Sequence, residues 1–341
     1  MKTASKSAFL VACCLLLLTA CGSKSVGESA GIQSSPNALT GMPGINGPVL
    51  FVKIDDTQPA HPQIGLDKAD VVYIEEVEGG LTRLAAVFSN ALPPFIGPIR
   101  SARISDIDLM ASYGHPAFAY SGAQKLFLPV IEAANIENLG AELEPPSIYS
   151  RDPGRQAPTN MLLDPQALLT KAIVTEKRNI DTAKSVGWKF GPLPKTGVPI
   201  LGVDLKWPAS SYQLTWSVAQ KRWLLMYRHE PDLGSDGIQL GSPTFIIQNV
   251  SITNSIYHDH NNNYTPFSNT VGSGTGYLLR DGQSISVFWN RATPASGTTW
   301  TLKDGSPAYF SPGQVWIALT DQVPTFTLPA PTGTPAPAPT K

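Results

Sequence analysis

All three cysteines of this 341-residue chain fall within its first 21 residues, at Cys13, Cys14 and Cys21. Nothing beyond position 21 can form a disulfide, bind metal through sulfur or act as a thiol nucleophile. The rest of the chain must therefore stand on apolar burial alone. Some ~320 residues are long enough for a core of that kind, and their length predicts two domains.

The placement of the cysteines has a cause of its own. Lys2 and Lys6 open the chain, the run Ala8–Leu18 is apolar, and Leu18-Thr19-Ala20 puts small residues before Cys21. This is the order of a secretory signal. The run is shorter than the ~20 residues of a transmembrane helix. Leu-Thr-Ala-Cys resembles a bacterial lipobox, which implies loss of residues 1–20, with Cys13 and Cys14, and acylation (palmitate or a similar chain) of Cys21. The expected location is the extracytoplasmic face of a cell membrane, with the lipid at Cys21 as anchor. Without Lys2 and Lys6 the mature chain has 23 basic and 26 acidic side chains, a net of −3. That balance gives no electrostatic reason to expect nucleic acid as a partner.

Composition divides what remains. Residues 21–47 carry the anchor and a Gly/Ser/Pro/Asn-rich stretch that reads as a flexible tether. Residues 323–341, VPTFTLPAPTGTPAPAPTK, form a Pro/Thr/Ala tail that cannot bury a core and is expected to be disordered. Between them the expected class is α+β: a mixed α/β domain over 48–185, then a β-rich domain over 186–322. GPVLFVKID, DVVYIEEV and TRLAAVFSN read as strands, the last two joined at Gly79-Gly80. SARISDIDLMASYG has Ile104, Ile107, Leu109 and Met110 at helical spacing. AQKLFLPVIEAAN reads as helix, as does DPQALLTKAIVTEKRN, with Asp164 as its cap and Pro165 at its first position. Beyond residue 186 the runs YQLTWSVAQKRWLLMYRH, PTFIIQNVSI, GTGYLLRDGQSISVFWNR and QVWIALTD alternate as strands do.

The charged cluster between Glu75 and Arg103 is the most informative chemistry. Glu75, Glu76 and Glu78 precede a glycine turn and Arg83; Arg100 and Arg103 stand where a helix is expected to start. Arginines beside the N–H groups of a helix start suit a phosphate or carboxylate. The competing reading, which the rule that buried charges are paired favours, ties these arginines to the glutamates as a structural network. A second loop, YSRDPGRQAPTN, supplies Arg151, Asp152, Arg155 and Asn160 between Pro153 and Pro158. The pair His258 and His260 lacks a third ligand at a metal-binding spacing, so no metal and no other cofactor is expected. Neither a serine nucleophile motif nor a P-loop is present; GSGTG at 272–276 reads as a β turn.

At these residues a family resemblance emerges. FVKIDDTQPAHPQIGLDKADVVYIEEVEGGLTRLAAVFSN, IGPIRSAR and RDPGRQAPTN are similar to the N-terminal region of the YerB-like lipoproteins, the family labelled DUF3048; GYLLRDGQSISVFWNR and DGSPAYFSPGQVWIAL resemble its second domain. The likeness covers about residues 47–322. It implies a secreted lipoprotein with an α/β part and a β-rich part, and no assigned activity. Two positions depart from the pattern. Thr159 stands where the family's Ala-Pro-His-Asn has histidine, and Asp56 stands where asparagine is frequent, which counts against a reaction built on that histidine.

The expected function is binding of an anionic cell-wall polymer fragment, or of a wall-synthesis protein in the envelope, with Arg83, Arg100, Arg103, Arg151, Arg155 and Asn160 as contacts. The alternative is hydrolysis of the polymer, with Glu75, Glu76 or Glu78 as acid or base. An assembly scaffold would instead show a large exposed apolar patch.

Overall fold

A computed structural model describes residues 36–330. The expected leader, the acylation site Cys21 and positions 331–341 of the tail lie outside the described residues. In chain order the first strands are β1 (Leu50–Asp55), β2 (Val71–Glu76), β3 (Thr82–Phe88), β4 (Ala117–Ala119) and β5 (Glu137–Asn138), then the hairpin of β6 (Tyr149–Arg151) and β7 (Met161–Leu163). Three short helices lie among them: α1 (Ile104–Ala111), α2 (Leu128–Ala133) and α3 (Pro165–Leu169). There follow β8 (Val198–Pro199), β9 (Gly202–Trp207), β10 (Ser210–Ser217), β11 (Arg222–Tyr227), β12 (Glu230–Pro231), β13 (Gly241–Ser242) and β14 (Thr244–Asn249). The last are β15 (Ile252–His258), β16 (Tyr264–Ser268), β17 (Gly272–Arg280), β18 (Gln283–Arg291), β19 (Thr299–Thr301), β20 (Val315–Thr320) and β21 (Thr325–Thr327).

Strands take 40% of the described residues and helical turns of every kind 13%, so the fold is largely β, and α+β describes it only in outline. The helices are shorter than the apolar spacing predicts. Pro129 stands in the first turn of α2 and keeps the helix from beginning earlier in AQKLFLPVIEAAN. Asp164 caps α3 as expected, its Oδ1 accepting from the Ala167 N–H at 2.8 Å. After Leu169, however, the backbone widens into a π turn over Thr170–Thr175, where Ile173, Val174 and Thr175 are all β-branched.

One eleven-stranded sheet runs in the order β19-β18-β17-β14-β20-β2-β3-β1-β4-β5, with β8 paired to β18. It joins the two segments expected on either side of residue 186. β20, from near the C-terminus, lies parallel between β14 and β2 and is buried along its whole length. Side-chain alternation sorts the core onto two faces. Leu50, Val52, Ile54, Val72, Ile74, Leu84 and Ala86 point toward the six-stranded sheet β12-β11-β10-β9-β21, with β13 paired to β11, where they meet Trp207, Leu214 and Trp223. Phe51, Tyr73, Ala85 and Val87 point the other way, under Leu109, Met110 and Tyr113 of the α1 region. The β2–β3 turn uses Gly79 and Gly80 at φ +71°; a Cβ on Gly80 would lie 2.4 Å from Pro208 Cβ, so glycine is required there.

Both ends of the folded part reach further than composition predicts. Within the expected tether, Leu39 is fully buried and its carbonyl accepts from Trp188 Nε1 at 3.2 Å. Asn37 Oδ1 accepts from the N–H groups of Leu39 and Thr40, closing a turn. Within the expected tail, β21 pairs with β9, and Phe326 meets the Tyr277 ring at 5.0 Å. A single large side chain in each stretch, Leu39 or Phe326, supplies burial that an average over composition hides.

Candidate functional site

The C-terminal ends of β1 and β2 and the start of β3 meet at one end of the large sheet, because both pair antiparallel with β3. Alternation then places Lys53, Asp55, Glu75 and Arg83 on the face that α1 covers. Lys53, fully buried, makes ion pairs with Glu75 and, at 2.8 Å, with Asp106 Oδ1. Burial is the largest influence on its ammonium and lowers its pKa to about 8, against the attraction of Asp106. The other Asp106 oxygen accepts the Arg103 N–H at 2.6 Å and so closes the first turn of α1. Asp55 sits between Arg83 at 3.2 Å and Arg100 at 2.8 Å. Burial pulls the Arg83 guanidinium below its ordinary value, opposed by Asp55.

Arg103 is the outermost member of this array. Its Nε donates to Glu78 Oε2 at 2.7 Å, and its Nη1 donates to the carbonyls of Ser101 and Ala102 at 3.1 and 3.0 Å. Glu78 also accepts from Thr265 Oγ1 on β16. The β15–β16 hairpin is tied down further by Ser268 N–H on Ser105 Oγ at 3.0 Å and by Gln124 Nε2 on the His258 carbonyl at 2.8 Å. Between the hairpin, the start of α1 and the segment leading to α2 lies a cavity of about 220 Å³. Arg103 and Glu78 form one wall. Phe127 and Tyr257, with ring centroids 5.2 Å apart, form another, and His258 and His260 stand at the rim. Gln124 Oε1 is buried in the lining without a hydrogen bond.

The opposite face of the same sheet end carries a second polar network. Asp56, fully buried, accepts from Tyr212 OH at 2.7 Å, Thr82 Oγ1 at 2.5 Å and Gln63 Nε2 at 3.3 Å. The Tyr227 hydroxyl donates to the Asp56 carbonyl at 2.5 Å. His61 bridges Asp56 (3.3 Å) and Asp232 (2.8 Å) and stacks on the Tyr227 ring at 4.1 Å. Burial opposes the imidazolium, but bonds to Asp232 and Asp56 outweigh it and raise His61 to about 10. Burial pushes the Asp232 carboxyl upward, against the bond from His61.

The six residues expected as contacts separate into two groups. Arg83, Arg100 and Arg103 lie in the array under and beside α1, each on a carboxylate, and only Arg103 lines the cavity. Arg151, the last residue of β6, and Arg155 and Asn160 of the loop that follows belong to the β6–β7 hairpin. There Arg151 Nη1 donates to Asn160 Oδ1 at 2.7 Å, and Arg155 donates to the carbonyls of Ala60 and Pro62 at 2.8 and 2.6 Å. The glutamates differ as well. Glu75 is sealed beneath Lys53 and Glu78 is paired with Arg103. Glu76 is half-buried with no cation within ion-pair range among the described residues, its carboxyl pushed upward by burial and by Asp321. Thr159, where the resemblance implies histidine, is buried with its hydroxyl on the Gln156 carbonyl. Sequence reasoning missed Lys53, Asp106, His61, Asp232 and the aromatic wall. A lysine inside the apolar run LFVKID was the available signal, since such a charge must find a buried partner. Among the described residues no group of three or more His, Cys, Asp or Glu side chains is placed to hold a metal ion.

A largely β molecule whose N-terminal charged array meets a C-terminal hairpin at one pocket defines a two-segment class, and the chain belongs to the DUF3048 family. Residues 39–180 match "Protein of unknown function (DUF3048) N-terminal domain", and residues 203–317 match the corresponding C-terminal domain. Over 284 residues the chain is 24% identical to "Putative lipoprotein YerB" of Bacillus subtilis, covering 79% of this chain and 80% of that protein. The crystal structure of the YerB protein from Bacillus subtilis has the same fold, with a TM-score of 0.72 at 19% identity, over 85% of this chain and 98% of that one.

Proposed function

We propose that this chain is a lipid-anchored protein of the extracytoplasmic face of a bacterial membrane, and that its pocket beside α1 binds an anionic cell-wall polymer fragment. The lipobox-like Leu-Thr-Ala-Cys at 18–21 and the lipoprotein name of the Bacillus relative support the anchor. Among the described residues no helix is long and apolar enough to cross a membrane.

One observation carries the binding reading. Arg103 lines an open cavity while pinned through Nε and Nη1, and its Nη2 has no hydrogen-bond partner among the described residues. A pinned guanidinium with donors to spare loses little freedom on clamping a phosphate or carboxylate. Phe127 and Tyr257, both buried, make the apolar wall of the cavity, and Gln124 Oε1 is an unused acceptor in its lining. The array beneath is charge-balanced, with Lys53, Arg83, Arg100 and Arg103 against Asp55, Glu75, Glu78 and Asp106, so it serves to hold Arg103 in place.

Hydrolysis by Glu75, Glu76 or Glu78 has less behind it. Glu75 faces no open space, Glu78 is held by a guanidinium, and Glu76 does not line the cavity. The test is calorimetric titration of the protein with phosphate- or carboxylate-bearing wall fragments. Arg103→Gln is expected to weaken binding about 10- to 100-fold, the equivalent of one lost charge-assisted bond, while Arg151→Gln leaves it unchanged. Equal binding by wild type and Arg103→Gln would reject the pocket. Capture of a wall-synthesis protein with no affinity for the fragments would reject the polymer as ligand.

A further inference from the structure

The segment that opens the described residues is fastened to the far end of β3. Pro36 bridges to Pro43. The Ile45 N–H donates to Asn90 Oδ1 at 3.0 Å, and its carbonyl accepts from Asn37 Nδ2 at 2.7 Å. The Gly47 N–H donates to the Ser89 carbonyl at 3.1 Å. The backbone of Ile45 is thus held on both sides, yet its side chain is left 63% exposed. Met42 in the same turn is 44% exposed. Across from Ile45 stands Val174, 60% exposed, in the π turn that follows α3. Between them lies an open groove of about 350 Å³ whose apolar lining includes Pro48, Leu92, Leu169 and Ile173. No acidic side chain of the described residues lines it. The glutamate beside it in sequence, Glu176, is taken up by Lys171 and Arg178, whereas Lys177 is exposed and forms no ion pair among the described residues.

Where the chain enters the fold says what covers this groove. Pro36 stands fifteen positions after Cys21 (36 − 21). Fifteen residues reach at most about 50 Å when extended and about 20 Å as a coil. With Cys21 acylated, the body is confined within that range of a bilayer, so its effective concentration at the lipid surface is high and a weak apolar contact is enough to orient it. The surface nearest the point of attachment is the one that carries Ile45, Met42 and the groove. Lys177, three residues beyond Val174, suits anionic headgroups.

We propose that this groove docks on the bilayer that holds the anchor, with Ile45 and Val174 entering the headgroup region. The proposal rests on the lipid anchor of the preceding section. It also gives the candidate pocket a direction. β3 runs from Arg83 in the charged array to Ser89 and Asn90 at the groove, a length of about 20 Å. Docking at one end of β3 turns the Arg103 pocket at the other end away from the membrane.

The chain has no thiol after position 21, so an introduced cysteine is the only labelling site once Cys21 is acylated. Val174→Cys carries a fluorophore in the full acylated protein, reconstituted in vesicles of phosphatidylethanolamine and phosphatidylglycerol with a nitroxide on the lipid near the headgroup. The nitroxide is expected to quench this probe at least twofold and to leave a probe at Val218→Cys, in the β10–β11 turn and 78% exposed in the wild type, unquenched. Ile45→Cys serves as a second probe position with the same expected result. Adding Ile45→Asp to Val174→Cys is expected to abolish the quenching and leave the thermal midpoint unchanged. Equal quenching at 174 and 218 would overturn the docking. So would a probe at 174 that is shielded from aqueous iodide but not quenched by the lipid, since a second copy or residues 22–35 would then cover the groove. Failure of the anchor itself reads differently: the wild type would take up the thiol label at Cys21, and the docking would fall with it.

Discussion

Replacing His61 by Gln tests whether an imidazolium clamps the loop after β1 to the six-stranded sheet. Raising a histidine from 6.5 to about 10 corresponds to at most about 5 kcal/mol of preference for the protonated, folded form. Part of this is offset by Asp232, whose buried carboxylate is costly even with His61 beside it. Halving the figure leaves about 2–3 kcal/mol as the working expectation. The sign follows from which state holds the proton. Below pH 6.5 both states bind it and the stabilisation is fully present; it declines as the pH rises toward 10, where the folded state loses it too. Lys53 runs the opposite way. Lowered to about 8 by burial, it makes wild-type stability rise between about pH 8 and 10.5. Because Lys53 is common to both proteins, the difference between wild type and His61→Gln isolates the histidine. Urea unfolding is expected to show His61→Gln about 2–3 kcal/mol less stable at pH 6, with the gap closing to under about 1 kcal/mol at pH 10.5. A gap that stays constant across this range would show that stacking on Tyr227, and not charge, is what His61 contributes.

Two further expectations concern the parts of the fold that composition misjudges. Lys53→Met leaves Glu75 and Asp106 buried without their ammonium and is expected to cost about 3–5 kcal/mol at pH 7, less near pH 4 where carboxylates protonate; denaturant unfolding at both pH values checks it, and a loss below about 1 kcal/mol would contradict the buried array. Leu39→Ala is expected to cost about 2–5 kcal/mol; an unchanged unfolding midpoint would return residues 36–47 to the role of a free tether.

The helix of SARISDIDLMASYG and the strands around it were legible because apolar period and turn residues are local signals, and α1, β1, β2 and β3 formed where the pattern put them. The pairing of arginines with acids was legible as a principle, but the partners were not. Arg83 and Arg100 take Asp55, an acid outside the Glu75–Glu78 cluster, while Glu75 takes a lysine. The pocket was hidden for the same reason. Its walls come from Glu78, Arg103, Phe127 and Tyr257, and their spacing along the chain carries no trace of their meeting.

From its sequence alone this chain was bound to be thiol-free after position 21, to build its core from short alternating strands, and to need partners for a lysine set in an apolar run. Those are consequences of residue chemistry and of a two-residue repeat that needs no distant neighbour. Only the tertiary structure decided that β20 threads between β14 and β2, that the same sheet end carries a charged array on one face and the His61 clamp on the other, and that Arg103 reaches open space. Strands of similar apolar character are nearly interchangeable as neighbours until the whole sheet is assembled. Which charges become buried, and beside which partner, is settled by that assembly because a buried charge is tolerated only where its counterpart arrives with it.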